Sequence, residues 1–134
     1  MATRTSEELL DAFYAAYEAR DPEAAAALYA EDGEHREIAQ SSVRTGRVQI
    51  AEGLARFLEA FPDARWRVRS SLLNGARAAV AYELTGTLGA QLGPFEPRGQ
   101  RLSLLGLHLF ELGGGEIRST EDYWDSGSFA RQMR

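Results

Sequence analysis

GQRLSLLGLHLFELGGGEIRSTEDYWD, residues 99–125, is the stretch that decides how this chain folds. It predicts two antiparallel strands, over residues 100–112 and 116–125, joined by a loop of three glycines. Glycine takes positive φ without steric penalty, so three in a row favour a tight reversal. His108 lies in the first strand among leucines, and Asp122 lies in the second strand before two aromatic residues. The hairpin therefore suggests a histidine and a carboxylate facing each other among apolar side chains.

The register of this hairpin decides whether the two residues share a face. A three-residue loop over Gly113–Gly115 places His108 opposite Thr120 and makes Asp122 its diagonal neighbour, roughly 7–8 Å away between backbones. That separation allows both side chains to contact one ligand. A loop longer or shorter by one residue would put them on opposite faces of the sheet.

Composition limits the class of protein. The 134 residues are 44% hydrophobic and predict one domain, residues 1–134, with its own core. A net charge of −5 argues against nucleic acid or an anionic membrane as a partner. The absence of cysteine excludes disulfides and thiolate chemistry. We find no signal peptide and no apolar run long enough to span a bilayer, and we predict a cytoplasmic protein.

Elsewhere the pattern predicts helices first and longer strands afterwards. Helical periodicity and capping residues, among them Thr5 and Asp125, predict helices over residues 6–20, 23–29, 47–61 and 126–133. The helix at 47–61 carries one apolar stripe, formed by Ile50, Leu54, Phe57, Leu58 and Phe61. Alternation and turn residues predict a short strand at 34–38, a loop at 40–45, strands at 65–74 and 76–87, and a loop at 86–99. Helices before an antiparallel meander indicate an α+β fold. A sheet curling around the helix at 47–61 would leave a cavity between them.

Several short motifs carry a resemblance to a known family: Thr45-Gly46-Arg47, Phe61-Pro62-Asp63, Glu83–Thr87, Gly93-Pro94-Phe95, Gly99-Gln100-Arg101, Gly115-Glu116-Ile117 and Asp122–Asp125. With them the chain resembles the SnoaL-like polyketide cyclases of the nuclear-transport-factor-2-like superfamily. The resemblance implies a conical α+β fold, with three N-terminal helices packed in a curved, mainly antiparallel sheet. It does not fix the reaction, because the superfamily contains isomerases, dehydratases, hydrolases, cyclases and non-catalytic binders.

The resemblance also implies site residues. In these cyclases an Asp on the last strand is the acid/base of an intramolecular aldol closure, supported by a His on the preceding strand. Those positions fall on Asp122 and His108. The steroid isomerases of the superfamily instead suggest a carboxylate base at Glu37. Their oxyanion-binding Tyr and Asp fall on Phe13 and Leu107, next to Tyr14 and His108, and this departure weighs against steroid isomerase chemistry.

Each candidate also has a structural interpretation. His108 could be a core histidine bonded to a backbone carbonyl, Asp122 could pair with an arginine, and Glu37 could lie on the surface. His35, next to Arg36, is expected on the surface. Other aromatic residues are expected in the core or lining the pocket, namely Tyr14, Tyr17, Trp66 and Tyr82.

A metal or cofactor is not expected. The two histidines are far apart in sequence, and no histidine–carboxylate cluster stands at ligand spacing. No glycine-rich phosphate loop follows a strand.

The leading prediction is a cofactor-free enzyme that cyclises, isomerises or dehydrates a hydrophobic carbonyl compound. Asp122 is expected to be the base, with its pKa raised by burial beside Trp124, and His108 its partner. The predicted pocket residues are Glu37, Tyr14, Phe57, Trp66 and Trp124. The alternatives are a non-catalytic binder of hydrophobic molecules, or a structural homodimer module. The apolar outer face around Leu105, Leu107 and Leu109 predicts a homodimer in any case.

Overall fold

The structure, a computed structural model that describes residues 3–134, combines one sheet with helices on one of its faces. Its elements are α1 (Ser6–Glu18), α2 (Pro22–Ala26), β1 (Tyr29–Glu37), β2 (Ser42–Thr45), α3 (Arg47–Ala60), β3 (Arg65–Asn74), β4 (Arg77–Thr87), β5 (Arg101–Gly113), β6 (Glu116–Trp124) and α4 (Ser126–Met133). A single 3-10 turn, Ile38–Gln40, connects β1 to β2. The predicted α+β class is confirmed. Within the described residues, no helix has the length and apolar character needed to cross a bilayer.

The strand order brings the two ends of the chain together. The six strands lie in the order β2-β1-β6-β5-β4-β3. Neighbouring strands are antiparallel except for β1 and β6, which are parallel. This one parallel pair places His35 beside Thr120 and Glu37 beside Asp122. Polar residues from the first and last strands of the sequence therefore meet on one face.

The helix ends follow from local sequence. Thr5 caps α1: its hydroxyl accepts from the Glu8 N–H at 3.1 Å, and the Glu8 carboxylate accepts from the Thr5 N–H at 2.9 Å. Asp125 caps α4 by accepting from the N–H groups of Gly127 and Ser128. Both caps were predicted, because a side chain that accepts from unpaired N–H groups stabilises a helix start.

The core lies between the helices and the sheet in two packed clusters. One joins α1 and α2 to β4 and β5 around Phe13 and Phe110, both fully buried. The other joins α3 and α4 to the same strands around Phe61 and Tyr82. Trp66 packs against both clusters. The apolar stripe predicted for α3 faces inward, with Ile50 and Phe61 buried and Leu54, Phe57 and Leu58 half-buried.

Two predicted boundaries around β1 are wrong. The strand begins at Tyr29 rather than Glu34, because Tyr29 pairs with Ile117 across an irregularity in the β1–β6 ladder. Residues 42–45, predicted as loop, form the edge strand β2, reached through Ser41 in the left-handed region. Neither segment has a strong strand composition, so pairing with neighbouring strands decides their conformation.

The β5–β6 hairpin differs from its predicted register. Its turn contains two residues, Gly114 and Gly115, both with positive φ, and Gly113 pairs with Glu116. The pairing then shifts by one residue, because Glu111 faces Ser119 while Leu112 faces Ile117. Together the shorter turn and this bulge move the partner of His108 from the predicted Thr120 to Asp122.

Candidate active site

His108 and Asp122 face each other directly across β5 and β6. His108 is fully buried and Asp122 is 7% exposed. The His108 Nε2 atom lies 3.4 Å from Asp122 Oδ2, yet no acceptor in residues 3–134 is aligned for a hydrogen bond to it. The prediction that these two residues share a face is therefore confirmed. A buried polar nitrogen without an aligned partner is rare in folded proteins, because it costs free energy of folding, and it often indicates a functional site.

Tyr14 holds the other side of the His108 ring. Its hydroxyl lies 2.8 Å from His108 Nδ1. Burial raises the pKa of Tyr14 well above its usual range, so the phenol stays protonated and can donate. When Tyr14 donates to Nδ1, neutral His108 carries its proton on Nε2, which faces Asp122. The rings of Phe13 and Phe110 pack edge-on around the imidazole.

A second polar group lies beside this pair. His35 Nε2 lies 2.8 Å from Glu37 Oε1, and its Nδ1 lies 2.6 Å from the Thr120 hydroxyl. The Thr120 hydroxyl in turn lies 2.7 Å from the hydroxyl of Tyr29. The indole of Trp124 donates to Glu37 Oε2 at 2.8 Å. Glu37, with 24% of its side chain exposed, is thus part of the site, and its carboxylate is held by two donors.

The prediction that His35 lies on the surface is wrong, since it is 9% exposed. Its neighbour Arg36 does point outward, where it pairs with Glu34. Successive side chains alternate across a strand, so Arg36 outside implies His35 and Glu37 inside. That alternation was visible in the sequence, but the parallel partner strand that buries His35 was not.

The pKa of Asp122 contradicts the sequence-based expectation. Burial acts to raise it, but the electrostatic interaction with His108, the charge of His35 and the hydrogen bond from Tyr82 outweigh burial and lower it below its usual value. The Tyr82 hydroxyl donates to Asp122 Oδ1 at 2.6 Å. Asp122 is therefore ionised at neutral pH, which is the form that accepts a proton.

The pKa of His35 moves the other way. Burial acts to lower it, but the hydrogen bond and charge of Glu37, with the charge of Asp122, raise it above its usual value. The positive charge of Arg44, which pairs with His35 across β1 and β2, partly opposes this rise. The imidazole of His35 therefore keeps its proton to a higher pH than an isolated histidine does.

The expectation that no histidine–carboxylate cluster exists is also wrong. Donor atoms of His35, Glu37 and Asp122 all lie within 4.8 Å of one another and could hold a metal ion. Two features oppose this use. Both ring nitrogens of His35 already have hydrogen-bonding partners. The positive charge of Arg44 also acts on His35 and would repel a cation bound there. The donor set therefore fits proton chemistry better than a metal.

Of the remaining predicted pocket residues, two contact the site and two lie further along the core. Tyr14 contacts His108, and Trp124 contacts Glu37, so both belong to it. Phe57 and Trp66 pack against each other with tilted rings further along the core. Two depressions of about 340 Å³ each lie away from the cluster, one of them beside Trp66 at β3 and the other beside Leu109 on the outer face.

The steroid isomerase pattern fits this chain only in part. Leu107 faces the opposite side of the sheet from His108, because neighbours in a strand alternate. Phe13 is buried in the core without a polar atom to offer. Tyr14 and His108, the adjacent residues, are the ones that hydrogen-bond inside the site.

Sequence reasoning missed Tyr82 as a site residue, although it found the aromatic residue. Tyr82 was expected in the core or lining the pocket, and its ring is 1% exposed. Its hydroxyl nevertheless contacts the candidate base. The signal that could have found it is its position opposite Gly106, which only the β4–β5 register reveals.

Comparison with known proteins agrees with this fold. The family model described as SnoaL-like polyketide cyclase matches residues 7–133, and the chain belongs to that family. No curated protein matches the sequence.

Several solved structures are similar to this chain over nearly its whole length. A proposed polyketide cyclase from Xanthomonas campestris pv. campestris is 25% identical, with a TM-score of 0.86 and 94% of each chain covered. One from Pseudomonas putida KT2440 is 26% identical, with a TM-score of 0.84, covering 98% of this chain and 99% of that one. A SnoaL-like protein from Jannaschia sp. CCS1 is 16% identical with a TM-score of 0.86, covering 99% and 97%, and supports the fold alone.

Proposed function

We propose that this protein is an enzyme that uses acid/base chemistry on a hydrophobic carbonyl compound, and that its reaction is an intramolecular aldol-type ring closure. The observation that carries the proposal is the buried contact between His108 and Asp122. It offers an ionised carboxylate beside an imidazole nitrogen that has no aligned partner. A substrate carbonyl oxygen is the kind of acceptor that such a nitrogen lacks.

The chemistry follows from these two groups. Asp122 removes a proton from the carbon next to the carbonyl, and the bonding electrons move to the carbonyl oxygen to give an enolate. The His108 Nε2–H donates a hydrogen bond to that oxygen as its negative charge develops. The enolate carbon then attacks a second carbonyl of the same molecule, forming the ring. The new alkoxide takes the proton from Asp122, which restores the carboxylate.

The surroundings favour this reaction. The aromatic rings around His108 exclude water, which strengthens electrostatic interactions and protects the enolate from protonation by solvent. Among the clustered acidic and imidazole groups, Glu37 has the greatest exposure, so we expect the substrate to enter beside it and Trp124. Binding an apolar substrate there would also hold the carbon next to its carbonyl group close to the Asp122 carboxylate, which favours proton transfer.

A second candidate uses Glu37 as the base, as in a steroid isomerase. It is supported by the position of Glu37, whose carboxylate lies within 4.8 Å of Asp122 and His35 donor atoms. Here His35 would protonate or orient the reacting group. The third candidate is a binder with the same residues and no turnover.

The experiment begins with a substrate. Aromatic and polycyclic ketones are screened by the fluorescence of Trp124 and Trp66, and bound compounds are tested for conversion by mass spectrometry and chromatography. Asp122→Asn keeps the size of the side chain and removes its basicity. We expect turnover to fall by on the order of 10²–10⁴, the usual contribution of a general base, with little change in binding.

Matched variants separate the candidates. Asp32→Asn makes the same charge change at an exposed position of β1 and should leave turnover intact. A large loss in Glu37→Gln with a normal rate in Asp122→Asn would favour the second candidate. Tight binding without conversion of any bound ketone would favour the binder. Full turnover in both Asp122→Asn and Glu37→Gln would refute acid/base catalysis by this cluster.

A further inference from the structure

Tyr82 reaches its partner by crossing an entire strand. Tyr82 lies on β4 and Asp122 on β6, with β5 between them. The residue of β5 that pairs with Tyr82 is Gly106. A Cβ atom added to Gly106 would overlap Cζ and the hydroxyl oxygen of the Tyr82 ring. The ring therefore lies in space that is free only because residue 106 has no side chain.

We propose that Tyr82 is a positioning residue for Asp122, and that Gly106 is the residue that permits this contact. The inference rests on the proposed function in one respect, the role of Asp122 as the base. The hydrogen bond itself joins the Tyr82 hydroxyl to Asp122 Oδ1 at 2.6 Å. Any larger residue at position 106 would push the ring away and break it.

The two oxygens of the Asp122 carboxylate have different partners. Oδ1 accepts from Tyr82, whereas Oδ2 faces His108. A carboxylate held at one oxygen cannot rotate freely, so the second oxygen keeps a fixed direction toward the substrate. Burial raises the pKa of Tyr82 far above its usual range, so its hydroxyl remains a donor throughout the working pH range.

A purely structural role predicts a different behaviour. A tyrosine that only fills space in the core would affect stability and leave the protonation of Asp122 unchanged when its hydroxyl is removed. A positioning residue must shift that protonation, because a hydrogen bond to the charged form lowers a carboxyl pKa. The other titratable groups around Asp122 are His108 from β5, His35 and Glu37 from β1, and the buried phenols of Tyr14, Tyr17 and Tyr29. The test must therefore change Tyr82 while keeping His108, His35 and Glu37.

The experiment titrates Asp122 by carboxyl 13C NMR in the whole chain and needs no substrate. Tyr82→Phe removes only the hydroxyl, and we expect the Asp122 pKa to rise by roughly one unit, a tenfold change in proton affinity. Tyr17→Phe is the matched control, because it removes another buried phenol hydroxyl that has no hydrogen bond to Asp122. It should leave the midpoint near that of the parent protein.

Gly106→Ala tests the second half of the proposal. It should raise the Asp122 pKa as Tyr82→Phe does, because it displaces the ring. Gly86→Ala is its control, since a Cβ there would lie 3.4 Å from the nearest atoms of Phe61, an ordinary contact. An unchanged Asp122 midpoint in folded Tyr82→Phe would overturn the inference, as would a Gly106→Ala variant that behaves like Gly86→Ala.

The unmutated protein supplies a measurement that does not depend on any variant folding. The Tyr82 Cζ resonance should change with the same midpoint as the Asp122 carboxyl resonance, because the two groups share a hydrogen bond. Separate midpoints would overturn the inference. These titrations stand apart from catalysis: normal turnover in Asp122→Asn would refute the proposed function while leaving the Tyr82–Asp122 coupling intact.

Discussion

Replacing Glu37 by glutamine removes one negative charge from the polar cluster while preserving the shape of the side chain. The Glu37 carboxylate accepts two hydrogen bonds, from His35 Nε2 and from Trp124 Nε1, each at 2.8 Å. A glutamine has one carbonyl oxygen, and its amide group is a donor. It can therefore keep one of the two bonds, and the other donor is left facing an NH₂ group.

The size of the loss depends on the charge of His35. Its pKa is raised in the folded protein, in part by the hydrogen bond and charge of Glu37. That stabilisation is fully present below the unfolded pKa of about 6.5 and is lost as pH rises through the higher folded value. The acceptor is the Glu37 carboxylate in either state of His35, so losing this hydrogen bond costs about 1.5–3 kcal/mol, with the upper end expected while His35 is also charged. We expect the larger loss near pH 6 and the smaller near pH 9.

The assay is urea unfolding of the parent protein and of Glu37→Gln, followed by tryptophan fluorescence and circular dichroism at both pH values. Histidine NMR should show the His35 pKa falling in the variant. Glu34→Gln is the control, since Glu34 lies on the same strand but pairs with Arg36 in solvent. Exposed pairs of this kind contribute at most about 1 kcal/mol.

Two results would refute this reasoning. A loss of stability that is equal at pH 6 and pH 9 would show that the charge of His35 does not depend on Glu37. An unchanged His35 pKa in the folded variant would show the same thing directly.

Three further outcomes follow from the structure. Phe110→Ala should cost about 3–5 kcal/mol by urea unfolding, because Phe110 is fully buried against Phe13, whereas the exposed Leu72→Ala should be nearly neutral. A two-fold homodimer across the outer sheet face should give twice 14.8 kDa by light scattering, and Leu105→Glu should shift it to the monomer, since Leu105 is 60% exposed in one chain. Because the folded pKa of Asp122 is lowered, its stabilisation is present above about pH 3.9 and lost below it; Asp122→Asn should flatten that fall in urea titrations between pH 5 and pH 3.

Much of the fold could be predicted because its signals are local. The caps at Thr5 and Asp125, the apolar stripe of α3 and the glycine turn are all written within a few residues of where they act. Secondary structure that depends on a distant partner was harder. The edge strand β2 forms by pairing with β1, and the sequence of residues 42–45 alone does not predict a strand.

The site was predictable to the extent that it depends on residue types. His108 and Asp122 were expected to share a face, and they do. The register behind that result was wrong by two residues, and two shifts of one residue each leave the face unchanged. Without the bulge beside Arg118, the two-residue turn would have placed Glu121 opposite His108 and sent Asp122 to the outer face. Two predictions were wrong, the surface position of His35 and the raised pKa of Asp122. Both properties depend on neighbours that are remote in sequence.

The parallel pairing of β1 with β6 also has a consequence for how the protein is made. His35 contacts a threonine 85 residues further along the chain, and Glu37 contacts an indole 87 residues further along. During synthesis the first strand leaves the ribosome long before its partner exists. The two carboxylates and two imidazoles can meet only after nearly the whole polypeptide has emerged, and closing so long a loop slows folding. We therefore expect nascent chains that stop before β6 to lack the cluster entirely, however much helix they have already formed.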